Sequence, residues 1–496
     1  MTTTPARVRK SAGSKSSEQL RDYFTSLAPQ WEKWRHRNRF YHERVRELVA
    51  GAVAPGNRVL EVGAGTGDVL AAVEPSEGIG VNVAEALTEL AREKYPELTF
   101  RTFDADAVEL PDGFRPDYII SVNLLDHVYD IYDLFVGLRA AMTERTLIVV
   151  TTTNPLWAPI LRLGSRLGRR SPESPRNYIT NRDIGGVLGV LGLDIVEQGL
   201  ALPVPVDVPG IGPVLNAVLP DVPVLRYACS TQYLAARPRI ERRELSVSVV
   251  VPCHNEEGNV AECARRVPDM GAGTEIVFVD DGSKDGTREA IRQTMREDPR
   301  VRLVAYDTNH GKANAVRAGF DAARNDVLMI LDADMTVRPE DLPKFLAPIQ
   351  NGTADFVNGT RLVYPMEGEA MPAANFLGNK AFCLLVSWVM RQRVSDTLCG
   401  TKALLRRDYE AIPISGRDRW GDFDLLFGAA RAKLRVLEIP VHYQERVAGE
   451  SKMNVRSDGL RFLHACAAGW RMLRRPHSVP WSQRVPTADG AQELRP

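Results

Sequence analysis

Apolar and polar positions along this chain fall into two alternating patterns. Short apolar runs end in polar or glycine-rich turns, and each turn leads into a longer stretch with apolar residues at helical spacing. Val327 to Leu331 is an unbroken apolar run, the length of a strand buried on both faces of a parallel sheet. Comparable runs end near Val62, Asn82, Val251, Val279 and Tyr306, and another follows Asp117. The segment Tyr23 to Val49 carries Trp31, Trp34, Phe40 and Tyr41 and predicts a helix. This strand–helix alternation predicts an α/β fold of two doubly wound domains with parallel sheets and crossover helices. Leu191 to Ala236 breaks the pattern, because Pro203, Pro205, Pro209, Pro213, Pro220 and Pro223 exclude a long helix. It reads as the closing strands of the first domain around a proline-rich insertion, whose apolar content would also suit an interdomain or membrane-facing surface.

The 496 residues exceed what one core usually fills. The expected division is a disordered tail (1–20), a first domain (21–236), a linker (237–245), a second domain (246–475) and a flexible tail (476–496). Lys+Arg and Asp+Glu both number 63, so no global basicity points to nucleic acid. The N-terminal stretch lacks the apolar core of a signal peptide, and no run of about 20 apolar residues predicts a spanning helix. Six cysteines without paired spacing fit reduced thiols in a cytoplasmic protein.

The first chemical motif is Glu61-Val-Gly63-Ala-Gly65-Thr-Gly67, where a strand runs into a turn and a helix. Glycines at these positions let the backbone bend sharply and approach a ligand closely. With Asp106 and the run from Asp117 to His127, residues 20 to 235 resemble the class I S-adenosylmethionine-dependent methyltransferases. The resemblance implies a Rossmann-like fold and a cofactor held by Glu61, Gly63, Gly65 and Gly67, with Asp106 near the adenine amine. One position departs from the family. The second strand should end in a carboxylate for both ribose hydroxyls, and Asn82 stands there. An amide cannot offer the charge-assisted bonds of a carboxylate.

In the second half, Asp332 and Asp334 follow the apolar run at its C-terminal end, where open α/β sheets place ligands. Two carboxylates so spaced can converge on a hard divalent cation and the diphosphate it carries. Around them lie Pro252-Cys-His-Asn255-Glu256, Asp280-Asp281, and Asn309-His-Gly-Lys312. Gly359-Thr-Arg361, Asp396-Thr-Leu-Cys-Gly400, and Glu438 to Arg446 with Gly449-Glu-Ser-Lys452 complete the set. In this order the motifs resemble glycosyltransferase family 2, with the GT-A fold, over residues 246 to 455. The tail motifs are similar to those of dolichol-phosphate-mannose synthases and polyprenyl-phosphate glycosyltransferases. Thr336 stands where the family often has Gln.

The resemblance implies an inverting transfer from a UDP- or GDP-sugar to a polyprenyl phosphate or related glycan acceptor. Asp332 and Asp334 would hold Mg²⁺ or Mn²⁺ as a Lewis acid at the leaving diphosphate. Pro252, Asn255, Glu256, Asp280, Asp281, Lys312, Arg361, Arg446 and Lys452 would bind the nucleotide sugar. Asp396 would orient the acceptor or take its proton, with Asp424 as the alternative for that role. A lipid acceptor implies peripheral contact with the cytoplasmic membrane face, for which Ala374–Met390 and Val455–Leu473 are candidate interfacial helices, ordinary core packing being the alternative. Two other readings remain open: a non-catalytic, methyltransferase-like scaffold as first domain, motivated by Asn82, and transfer to a soluble glycan or metabolite.

Overall fold

The computed structural model describes residues 15–102, 113–128, 130–172, 177–222, 224–242, 244–361, 363, 373–410, 412, 421–442, 455–474 and 492–494. Side chains are described for these residues except 15–17, 373–381, 455–461, 474 and 492–494. The chain divides into two compact units, one ending at Pro238 and the other beginning at Arg239.

In the N-terminal unit the long predicted helix is broken into α1 (Lys15–Leu27), α2 (Trp31–Arg37) and α3 (Arg39–Ala50). The first break contains Pro29 at the start of a single 3₁₀ turn, where the ring cannot donate to the preceding turn. Then follow β1 (Arg58–Val62), α4 (Asp68–Ala72), β2 (Glu77–Asn82), α5 (Glu85–Lys94), β3 (Thr99–Thr102) and β4 (Tyr118–Val122). The unit closes with α6 (Ile131–Ala141), β5 (Leu147–Thr153), α7 (Ala158–Arg166), α8 (Asn181–Val190), β6 (Leu193–Ala201), α9 (Ile211–Val218) and β7 (Thr231–Pro238). The strand order is β3-β2-β1-β4-β5-β7-β6, parallel except for β7. One face packs Leu60, Ile119, Ile148 and Leu234 against α6 and α8, and the other packs Val59, Ile120 and Val149 against α3. The proline-rich insertion holds the short helix α9 between the two antiparallel strands.

The C-terminal unit runs β8 (Val247–Cys253), α10 (Val260–Arg266), β9 (Thr274–Asp281), α11 (Thr287–Glu297), β10 (Val301–Tyr306), α12 (Lys312–Ala322) and β11 (Val327–Ile330). It continues with α13 (Leu342–Gln350), β12 (Phe356–Thr360), α14 (Ala373–Met390), β13 (Lys402–Leu405), α15 (Arg406–Tyr409), α16 (Asp422–Arg431), β14 (Val436–Pro440) and α17 (Val455–Arg474). The sheet order is β14-β12-β13-β11-β8-β9-β10, and β15 (Gln492–Leu494) adds antiparallel to β10. Alternation of strands and helices predicts a purely parallel sheet, yet β13 lies antiparallel between β11 and β12. The order reverses at β8, flanked by β9 and β11. The C-terminal ends of β8 and β11 therefore border a topological switch point, where such sheets bind ligands. Phe382 of α14 meets Phe462 of α17 at 5.3 Å and Phe423 at 5.8 Å, and Trp470, Met472 and Leu473 lie against the core, whereas Leu384 and Trp388 of α14 and Leu463 of α17 are exposed.

Candidate active site

Strand β11 delivers Asp332 and Asp334 into the turn at the switch point, where Met335 N–H donates to Asp332 O at 3.0 Å. Lys312, the first residue of α12, reaches Asp332 Oδ1 at 2.5 Å. Burial by itself would raise the Asp332 carboxyl, but Lys312, with Lys402 and Arg361 behind it, outweighs burial and holds it below the usual range. Burial likewise opposes the charge on Lys312, and Asp332 and Asp422 overcome it, so the ammonium stays protonated above the usual lysine range. Gly400 lies against this pair. A Cβ added there would stand 2.3 Å from Asp332 Oδ2 and 2.8 Å from Lys312 Nζ. Asp334 Oδ1 accepts from the Thr336 amide at 3.2 Å and hydroxyl at 3.0 Å. Thr336 thus orients the second aspartate. Two carboxylates on one turn, one leaning on a fixed cation, fit a divalent ion that takes its other oxygens from a diphosphate.

The other predicted donor-site residues surround the switch point, and several serve the loops as much as a ligand. Asp280, at the end of β9, is fully buried and accepts from Ser283 N–H at 3.0 Å and Arg288 Nε at 2.6 Å. Asp281 accepts from the His310 and Gly311 amides at 2.7 and 2.8 Å, fixing the turn that starts α12. Pro252 is the penultimate residue of β8. Asn255 follows in the left-handed region (φ 58°), and its side chain accepts from Lys284 N–H at 2.9 Å. Glu256 accepts from Asn259 Nδ2 at 2.7 Å, and its own N–H donates to Thr287 Oγ1 at 2.8 Å.

Asp396 and Arg361 come together although 35 residues separate them. Arg361 Nε and Nη2 donate to the two Asp396 oxygens at 2.7 and 2.9 Å, and the Arg361 and Leu398 amides donate at 3.0 Å each. The Asp396 carboxylate is fully buried. Its turn is held from below by Glu438, which accepts from the Ser395 and Asp396 amides, and by Asn358, which donates to Asp396 O at 2.7 Å. Asp424 lies in the first turn of α16 and lines an open cavity of about 380 Å³ with Lys312, Arg317, Phe320, Tyr409 and Leu425. Arg446 and Lys452 lie outside the described residues. The sequence reading missed Lys402, a fully buried lysine in β13 that donates to Asp422 Oδ1 at 2.5 Å. Its only signal is a cation inside an otherwise apolar strand. No cluster of three or more His, Cys, Asp or Glu suited to a metal occurs among the described residues.

In the N-terminal unit, Gly63, Gly65 and Gly67 all take positive φ, at 79°, 56° and 81°. Glu61 beneath them is buried and accepts from Leu70 N–H at 2.9 Å; burial pushes its carboxyl up to about 8. Asn82 does something a carboxylate could not. Its Oδ1 accepts from Gly65 N–H at 2.8 Å while its Nδ2 donates to Gly65 O at 2.9 Å. One Nδ2 proton and one Oδ1 lone pair remain for a ligand hydroxyl. Trp31 covers the turn, with a ring carbon 2.9 Å from where a Gly65 Cβ would be, and its indole N–H is buried without a partner. A buried, unpaired donor beside the glycine turn can take an oxygen acceptor from a ligand. Asp106 lies outside the described residues. At the C-terminal ends of β4 and β5 an open cavity of about 430 Å³ is lined by Asp126, Asn154, Arg162, Arg170, Asn177 and Tyr178.

The family model described as glycosyl transferase family 2 matches residues 248–412, and one described as a methyltransferase domain matches residues 33–198. The undecaprenyl-phosphate mannosyltransferase of Micrococcus luteus is 30% identical over 240 residues, 46% of this chain and 98% of that protein. Glycosyltransferase AglD of Haloferax volcanii is 27% identical over 241 residues, 47% of this chain but only 38% of that protein. Among solved structures, glucosyl-3-phosphoglycerate synthase of Mycobacterium tuberculosis aligns at 18% identity and a TM-score of 0.37, covering 47% of this chain and 82% of that one.

Proposed function

Because the chain belongs to glycosyltransferase family 2, we propose that its C-terminal unit transfers a sugar from a nucleotide sugar to a polyprenyl phosphate. The donor would be a UDP- or GDP-sugar, and transfer would invert the anomeric centre. The observation that carries the choice of acceptor is the pairing of Asp396 with Arg361. Both carboxylate oxygens are taken by a guanidinium and backbone amides, so Asp396 positions Arg361 rather than collecting a proton. A phosphate monoester needs no base, since its second pKa is near ~6 and it is largely dianionic at neutral pH. Its oxygen forms the new bond to the anomeric carbon as the bond to the diphosphate breaks, and the electron pair leaves on the diphosphate.

Asp332 and Asp334 would hold Mg²⁺ or Mn²⁺, which supplies Lewis-acid neutralisation of the leaving diphosphate when bound. Lys312, kept protonated by Asp332 and Asp422, places a permanent positive charge beside that site. Arg361, oriented by Asp396, adds a second. Asp280 and Asp281 fix the loops that carry the nucleotide subsite. The N-terminal unit would take S-adenosylmethionine at the turn of Gly63, Gly65 and Gly67, with Glu61 and Asn82 holding the turn's shape. A second reading, a scaffold without cofactor, is favoured by the two bonds that tie Asn82 to Gly65. Calorimetry of the full chain with S-adenosylmethionine separates the two, and absence of binding at millimolar ligand selects the scaffold.

The central test is transfer to a short-chain prenyl phosphate by wild type, Asp332→Asn and Asp334→Asn, with and without excess chelator. Both variants should be inactive with unchanged folding. Wild-type turnover that survives the chelator would overturn the metal assignment, and equal rates on the matching prenyl alcohol would overturn the phosphate acceptor.

A further inference from the structure

Helix α7 presents two different faces. Ala158, Leu161, Arg162 and Ser165 line the 430 Å³ cavity. Leu156, just before the helix, with Ile160, Leu163 and Leu167 are 65%, 56%, 58% and 61% exposed. Their spacing of four, three and four residues places them on one helical stripe. Single exposed leucines are ordinary, but a complete apolar stripe turned to water is not. Arg166 and Arg169, three residues apart, are also exposed. No Asp or Glu occurs from Asn154 to Pro172.

The excursion between β6 and β7 extends this surface. Ile211, Val214 and Val218 on α9 are 62%, 60% and 53% exposed, and Val224, Leu225 and Tyr227 beyond it are at least as open as half their surface. The two segments are joined at their base. Trp157 Nε1 donates to Ala228 O at 2.8 Å, and Asn154 Nδ2 donates to Tyr227 O at 3.2 Å and Cys229 O at 2.7 Å. We propose that this joined surface docks the N-terminal unit on an anionic lipid bilayer. Aliphatic side chains would enter the headgroup–acyl boundary while the arginine stems run alongside and carry their guanidinium groups to the lipid phosphates. Charge argues against a second copy of the chain as occupant. Residues 154–172 and 203–228 together hold five arginines and two aspartates, so two such faces carry like net charge, whereas anionic headgroups are of opposite sign. The cavity beneath α7 then opens beside the bilayer, within reach of lipid-linked molecules. This surface belongs wholly to the N-terminal unit and does not depend on the acceptor assigned to the C-terminal unit.

All six native cysteines are buried, so an introduced surface cysteine can be labelled selectively with an environment-sensitive fluorophore. Full-length Leu163→Cys and Val214→Cys proteins are labelled and mixed with phosphatidylglycerol–phosphatidylcholine vesicles or with phosphatidylcholine alone. Glu77→Cys, exposed at the start of β2, is the control at the opposite end of the sheet. Both test positions should shift to the blue on anionic vesicles only, and the control should not move. The combined Leu156→Ser, Ile160→Ser, Leu163→Ser and Leu167→Ser protein should lose at least ~10-fold in vesicle partitioning. Three results would each overturn the proposal: no shift at either position, a shift that follows protein concentration without lipid, or unchanged partitioning of the combined variant. The second would mark the face as a self-association surface.

Discussion

Replacing Gly400 by alanine tests whether the switch-point geometry is what the chemistry needs. The new Cβ would sit 2.3 Å from Asp332 Oδ2 and 2.8 Å from Lys312 Nζ, against 3.4 Å for ordinary contact. Something must therefore move by about 1 Å. The lysine end is flexible and can withdraw, but withdrawal weakens the 2.5 Å pair that holds Asp332. The Asp332 carboxylate is half-buried and paired with Lys312, so turning away would break the same pair. Displacing a positioning group by about 1 Å costs roughly 10²-fold in rate, which corresponds to about 2.7 kcal/mol in the barrier. The loss should fall mainly on kcat, because donor contacts along β8 and β9 are untouched. The assay is initial-rate transfer at varied nucleotide-sugar concentration, with circular dichroism to confirm folding. Gly258→Ala is the control, since nothing lies within 4 Å of its added Cβ. If Gly400→Ala turns over within about threefold of wild type, the position of Asp332 does not limit transfer.

Two further outcomes follow from buried charge. Asp396→Asn leaves Arg361 facing a neutral amide, which should destabilise the C-terminal unit by ~3–5 kcal/mol, seen as a lower urea midpoint. Transfer to a prenyl phosphate should fall by about 10²-fold with an unchanged pH profile, and loss of a basic limb would show instead that Asp396 carries a proton in the step. Glu61→Gln bears on the glycine turn: the folded carboxyl titrates at about 8 and the ordinary value is 4.5. Between these values the folded state binds the extra proton, so wild-type stability should fall as pH rises from about 4.5 to 8. The glutamine variant should lack that slope in melting temperature, and parallel curves for the two proteins would refute the burial argument.

Much of the architecture is written locally. A five-residue apolar run ending in two aspartates specifies a buried strand and a carboxylate pair at its tip, and β11 with Asp332 and Asp334 takes that form. Glycines at 63, 65 and 67 are legible because only the backbone decides them, and all three adopt positive φ. The apolar run that ends at Tyr306 forms β10, Val301–Tyr306. What local pattern could not specify is partnership across the fold. Arg361 and Asp396 each read singly as a phosphate ligand and an acceptor residue, and only the antiparallel course of β13 and its preceding turn makes them one buried pair. Asn82 reads as a weakened ribose ligand until β2 places it against Gly65, where donating and accepting at once requires an amide. Lys402 has no sequence signature beyond its charge, and its burial with Asp422 depends on α16 packing over β13. The stripe on α7 carries the same periodicity as a core-facing helix, and periodicity does not say which side the core is on. Sequence thus determined strands, turns and the chemical character of each position, because backbone propensity and pattern act within a few residues. The tertiary structure decided which charges neutralise one another and which apolar face stays open, because those outcomes depend on chain crossings between residues 20 to 80 positions apart.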